Sequence, residues 1–140
     1  YLGAIHSLSM FEPDFYEITL HEDGLDLEEL KHVLDTHHPK LIYVVPNFHN
    51  PTGISYSKEK RLALVELIKN YDVILVEDDP YGELRYVGED KALIKALLPT
   101  QVILMGSFSK IIAPGLRLGW VVAPKGLNQA LFNLSNLLNI

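Results

Sequence analysis

A chain of 140 residues with 48% hydrophobic content is long enough to bury the core of one modest domain, or of a piece of a larger one. Its net charge of -6 leaves no basic stripe to neutralise phosphates, which argues against nucleic-acid binding by this segment. The absence of cysteine excludes a disulfide framework and thiolate chemistry and fits a cytoplasmic protein, while the longest apolar runs, such as 102–105, are far too short to span a bilayer.

Taken in chain order, Leu2, Ile5 and Leu8 have helical spacing, and Phe15 to Leu20 reads as a short strand. Asp26 is the predicted cap of a helix with apolar positions Leu27, Leu30, Val33 and Leu34. Leu41 to Val45 is a continuous apolar run of the kind buried on both faces in a parallel sheet. Ser57 is the predicted cap of a second helix whose inner stripe is Leu62, Val65, Leu67 and Ile68. Val73 to Val76 and Val102 to Met105 are the next buried strands, Leu118 to Val122 is another, and helix resumes at Lys125. This alternation predicts an α/β fold, a three-layer architecture with a mainly parallel, right-handed sheet. The segment from Lys110 to Arg117 is too short for a crossover helix, so the strand after it is predicted to run antiparallel to its neighbour. The chain opens at Tyr1 in an apolar stretch and stops in the helix-like run 127–138, so both ends read as cut.

Three polar runs follow the apolar ones: Asn50-Pro51-Thr52-Gly53, Glu77-Asp78-Asp79-Pro80-Tyr81, and Ser107-Phe108-Ser109-Lys110 with Gly115-Leu116-Arg117. All fall at the carboxyl ends of predicted neighbouring strands, where open α/β sheets bind ligands. Lys110, just past a buried strand and beside Ile111 and Ile112, is predicted to sit in a low-dielectric setting that favours a neutral, nucleophilic amine. Ser107, Ser109 and the guanidinium fork of Arg117 make a compact phosphate cradle, with Pro114 and Gly115 supplying the turn that returns Arg117 to it. Asp78 suits a protonated pyridine nitrogen, Tyr81 brings a phenol to the same place, and the amide of Asn50 suits a ring oxygen. Taken singly, each has an ordinary reading: a snorkelling lysine, a solvated acidic turn, a Pro-Gly turn. Together they suit a phosphorylated aldehyde cofactor. Asn47 and His49 are assigned to the turn alone, His37-His38 to a helix end and His32 to the surface. The histidines show no metal-ligand spacing, and no nucleotide-binding glycine loop occurs.

The runs "YVVPNFHNPTG", "VEDDPYGELRY" and "GSFSKIIAPGLRLGWVVAP", with "HEDGLD" before them, resemble the central part of a class I/II, fold-type-I aminotransferase dependent on pyridoxal 5′-phosphate. The likeness is to the 2-aminoadipate and aromatic branch and covers nearly the whole chain. It implies that Lys110 carries the cofactor as a Schiff base and moves the proton between the substrate α-carbon and C4′. By the same resemblance Asp78 pairs with the ring nitrogen and Tyr81 and Asn50 with the ring 3-oxygen. Ser107, Ser109 and Arg117 hold the phosphate. Residues 1–140 then form part of a cofactor-binding large domain. The glycine-rich phosphate turn and the stacking aromatic lie before Tyr1, the small domain and its carboxylate-gripping arginine lie after Ile140, and the active site is completed in a homodimer. Amino-acid and 2-oxo-acid substrates are expected, with no membrane and no metal. A second function fits the same runs, an effector-sensing domain of a GntR-type transcription regulator, which a winged helix-turn-helix before Tyr1 would mark. A doubly wound domain without cofactor is the third.

Overall fold

The order of elements follows the alternation of apolar and polar runs. The computed structural model describes the backbone of residues 2–138 and the side chains of residues 3–133, so the chain ends that read as cut lie outside the described residues. The elements are α1 (Leu2–Ser9), β1 (Leu20–His21), β2 (Gly24–Leu25), α2 (Leu27–His37), β3 (Leu41–Val44), α3 (Lys58–Ile68), β4 (Ile74–Asp78), α4 (Ile94–Leu97), β5 (Val102–Ser107), β6 (Gly119–Val122) and α5 (Lys125–Leu138). The main sheet has the order β3-β4-β5-β6. Strands β3, β4 and β5 are parallel, and β6 returns antiparallel along β5, as the short connection before it requires.

Local chemistry sets the helix starts. Asp26 accepts a hydrogen bond from the Glu29 backbone N–H at 2.9 Å and Ser57 one from Lys60 N–H at 3.0 Å, so each helix begins where its cap stands. Leu30, Leu34, Leu64, Val65 and Ile68 from α2 and α3 then pack on Ile42, Val44, Leu75 and Val102 of the sheet. Side chains alternate along each strand, so the opposite face carries Tyr43, Asp78 and Met105, which open on a cleft. Among the described residues no helix is long and apolar enough to cross a membrane.

Three expectations change. Residues 15–19 form no strand: Thr19 N–H donates to the Glu29 carboxylate at 2.7 Å and Thr19 C=O accepts from Asp26 N–H, so their hydrogen bonds go to the helix start and only Leu20–His21 pairs, with Gly24–Leu25. The run 41–45 is not buried on both faces, since Leu41 is exposed and Tyr43 half-buried. In α3 the buried stripe is Arg61, Leu64, Val65 and Ile68, at the i, i+3, i+4, i+7 spacing of one helix face, and Leu62 lies off it at 44% exposure.

That stripe is testable by paired truncations. Leu64→Ala, at a fully buried position, is expected to cost about 2–5 kcal/mol, and Leu62→Ala to stay within about 0.5 kcal/mol of the wild type, read as denaturant midpoints at constant slope. Equal losses would return Leu62 to the core.

Candidate active site

Each polar run leaves the sheet at a strand's carboxyl end, and backbone bonds aim it. After β3 the chain makes a closed loop over 46–56. Tyr56 N–H donates to Pro46 C=O at its base, and His49 N–H donates to Ile54 C=O while Gly53 N–H donates to His49 C=O at its tip. Gly53 takes φ +74, a conformation that favours glycine, and the Asn50-Pro51 bond is cis. Asn50 stands exposed at this tip.

Strand β4 carries Glu77 and Asp78 as neighbours on opposite faces. Glu77 is fully buried on the helix side, where its carboxylate accepts from Ile94 N–H at 3.0 Å and Lys95 N–H at 2.7 Å. Asp78 faces the cleft, half-buried, and accepts a hydrogen bond from the Tyr43 hydroxyl on β3. The register pairs Tyr43 with Val76, so Asp78 is its diagonal neighbour on the same face. Burial pushes the Asp78 carboxyl above its ordinary value; the Tyr43 hydrogen bond acts against that rise, and the adjacent Asp79 adds to it.

Beyond β5 the chain makes a compact excursion. Ser109 N–H donates to the Ser107 hydroxyl oxygen at 3.1 Å, Ile112 N–H donates to Phe108 C=O at 2.9 Å, and Phe108 N–H donates to Leu118 C=O at 3.1 Å, which closes the excursion on itself. Arg117 adopts a left-handed conformation with φ +51 and brings the chain back into β6. Where β6 lies on β5, Gly106 faces Trp120, and a Cβ there would stand 2.1 Å from the indole.

The residues expected from the sequence meet in space. Asn50, Asp78, Tyr81, Ser107, Ser109, Lys110 and Arg117 all line one cleft of about 920 Å³, together with Tyr43, His49 and Met105. Burial lowers the His49 pKa from its ordinary value. Two expectations need correction. Lys110 is exposed, because the turn after Ser107 carries it beyond the carboxyl end of β5 and the flanking Ile111 and Ile112 are themselves exposed; the low-dielectric enclosure is not formed by these residues. Asn47 does more than serve the turn: it is 4% exposed, accepts from the Arg61 guanidinium at 2.7 Å and donates to the Asp79 carboxylate at 3.1 Å.

Sequence reasoning missed Tyr43 and Arg61. Tyr43 was signalled only as a lone hydroxyl within an apolar run, and seeing its partner requires the register of β3 on β4. Arg61 was signalled by its position on the apolar stripe of α3. As chemistry, the cleft brings together a half-buried carboxylate, two phenols, an amide, two hydroxyls, a guanidinium and a primary amine. That donor set matches an anionic, ring-bearing carbonyl compound.

Comparison with known proteins agrees with this. The pattern of the family described as aminotransferase class I and II matches residues 4–140. An aromatic-amino-acid aminotransferase of Thermococcus litoralis is 42% identical over 129 residues, covering 88% of this chain and 31% of its own length. An α-aminoadipate aminotransferase of Thermus thermophilus, solved in complex with N-(5′-phosphopyridoxyl)-L-leucine, aligns with a TM-score of 0.89 at 32% identity, over 98% of this chain and 36% of that one. An HTH-type transcriptional regulator of Bacillus subtilis is 39% identical over 119 residues, covering 85% of this chain and 27% of its own length. The chain thus spans about a third of the length of the curated relatives it matches. With the family pattern running through all but its first three residues, the chain belongs to the class I and II aminotransferases.

Proposed function

We propose that the cleft binds pyridoxal 5′-phosphate and that the chain is part of the cofactor-binding large domain of a homodimeric aminotransferase, which moves an amino group from an amino acid to a 2-oxo acid in two half-reactions. The convergence of three separate runs on one cleft carries this reading. The donor set fits the cofactor group by group. Arg117 offers a bidentate fork to the phosphate, and Ser107, whose oxygen already accepts from Ser109 N–H, keeps its own proton to donate there along with the Ser109 hydroxyl. Asn50 and Tyr81 supply donors for the ring oxygen, and Asp78 an acceptor for a ring N–H.

When bound, pyridoxal phosphate supplies an electron sink for the pair left at the substrate α-carbon on deprotonation. The residues of this chain make that useful. Asp78, whose carboxylate accepts from the Tyr43 hydroxyl so that part of the rise caused by burial is offset, would hold the proton on the ring nitrogen. Lys110 would hold the carbonyl carbon through its Nζ until the substrate amine displaces it, and the freed amine would then take and return the α-proton. The same runs would serve an effector-sensing domain, and the likeness to a helix-turn-helix regulator favours that as the second reading. Turnover of an amino acid with a 2-oxo acid by the full-length protein separates the two.

Reduction of the cofactor-loaded protein with borohydride, followed by peptide mass mapping, is expected to place a phosphopyridoxyl group on Lys110, and Lys110→Ala to abolish it. A stable adduct on another lysine would remove Lys110 from this role. Tyr43→Phe takes away the hydrogen bond that lowers the Asp78 pKa. The acid limb of activity, lost as pH falls through that pKa, is expected to move to higher pH in the variant with the alkaline limb unchanged. An unmoved acid limb would show that Tyr43 does not tune Asp78. Arg117→Ala is expected to weaken cofactor binding by tenfold or more, about 1.4 kcal/mol, with a smaller effect on turnover at saturating cofactor. An unchanged dissociation constant would move the phosphate elsewhere.

A further inference from the structure

The Arg61 guanidinium is 1% exposed and lies under the cleft, outside the residues that line it. Its partners form a pattern. Nη2 donates to Pro46 C=O at 2.9 Å and to Asn47 Oδ1 at 2.7 Å, and Nε donates to Tyr56 C=O at 3.3 Å, so one side chain grips both ends of the loop that bears Asn50. Nη1 donates to Ala92 C=O at 3.2 Å and stands 3.8 Å from the Glu77 carboxylate, one residue before Asp78.

The grip extends to the second loop through Asn47, whose Nδ2 donates to Asp79 Oδ1 at 3.1 Å. Asp79 in turn packs tightly on Gly82, where a Cβ would stand 2.2 Å from its carboxylate, so the turn bearing Tyr81 is fixed against it. Nearer the surface the Arg85 guanidinium lies 4.7 Å from the centre of the Phe48 ring, a second contact between the same loops. A buried cation whose Nε and Nη2 donors go to the 46–56 loop and whose Nη1 goes to Ala92 C=O has a geometric task, because a point-charge ammonium could not span Tyr56, the Pro46–Asn47 pair and Ala92 together.

We propose that Arg61 is a positioning residue: acting through Asn47, it fixes the spacing between the Asn50 loop and the turn that carries Asp78 and Tyr81. The inference rests on the assignment of the cleft to pyridoxal phosphate for its catalytic consequence, and on the hydrogen-bond pattern alone for the coupling of the loops. A misplacement of about 1 Å among positioned groups costs on the order of a hundredfold in rate.

The test compares wild type, Arg61→Lys and Asn47→Ala in the full-length protein. Asn47→Ala leaves the Arg61–Glu77 pair in place, so it remains informative if Arg61→Lys folds poorly. In cofactor-free protein, amide exchange is expected to rise about tenfold or more in both 48–54 and 79–84, with β4 amides unchanged. In cofactor-loaded protein, kcat is expected to fall ten- to hundredfold with KM for the amino donor within about twofold. Faster exchange in only one segment, or in neither, overturns the coupling. Coupled exchange with wild-type kcat overturns the catalytic role. If the wild-type protein takes up no pyridoxal phosphate, the cofactor assignment fails, and the exchange comparison by itself decides whether Arg61 couples the loops.

Discussion

The alternation of side chains along β4 is the constraint on which the cleft depends. Glu77 and Asp78 are adjacent acids with opposite fates because successive strand residues point to opposite faces. Glu77 goes down into the helix layer, where Arg61 and two backbone amides of α4 meet it; Asp78 goes up to the cleft, where Tyr43 meets it. A shift of one residue in the pairing of β4 would exchange them, setting the shorter Asp78 on the helix face in place of Glu77 and Glu77 on the cleft face in place of Asp78. The registers of β4 on β3 and on β5 are therefore part of the site.

Placing an ion pair beneath the cleft has a cost that hydrogen bonds offset. Burial pushes the Glu77 carboxyl up and the Arg61 guanidinium down, each away from its charged form, and each is opposed by the charge of the other. A buried pair of this kind adds little net stability compared with apolar residues of the same shape, whereas removing one member leaves the other uncompensated. Among the described residues no buried side-chain donor or acceptor lacks a partner, so the polar layer is fully connected. Its return is specificity of geometry: the same guanidinium meets Glu77 on β4, Ala92 just before α4 and both ends of the 46–56 loop, and so ties those segments together.

Much of this was legible in the sequence, for identifiable reasons. The caps Asp26 and Ser57 were readable because capping is local chemistry. The antiparallel return of β6 was readable because chain length limits connections. The residues lining the cleft were readable because each follows a strand, and strand ends in such sheets are where ligands bind. What stayed hidden depends on pairing between distant segments. Tyr43 lies 35 positions from Asp78, and nothing near either residue indicates a shared face. Arg61 was missed because the predicted stripe of α3, Leu62, Val65, Leu67 and Ile68, did not include it, and its burial depends on Pro46, Ala92 and Glu77 arriving together. The stretch 15–19 was misread because its extended form satisfies its hydrogen bonds at the start of α2, where a strand would need a ladder.

The exposures divide the cleft into a dry end and a wet end. Asp78 and Tyr81 are half-buried over the sheet, while Asn50, Lys110 and Arg117 are exposed. Charges in contact with water interact weakly: a pair about 4 Å apart is worth about 1 kcal/mol there and several times that where water is excluded. A phosphate at the wet end, as proposed, would consequently be held by the number and direction of its donors more than by any one charge. The turn from Ser107 to Arg117 supplies that arrangement, since its internal hydrogen bonds fix the backbone and leave its hydroxyls and guanidinium to face a ligand. At the dry end a single carboxylate suffices, because Tyr43 and partial burial already define its direction and strengthen whatever it meets. The two ends thus work by different physics, donor multiplicity on one side and desolvation on the other, and the parallel strands β4 and β5 hold them at a fixed separation.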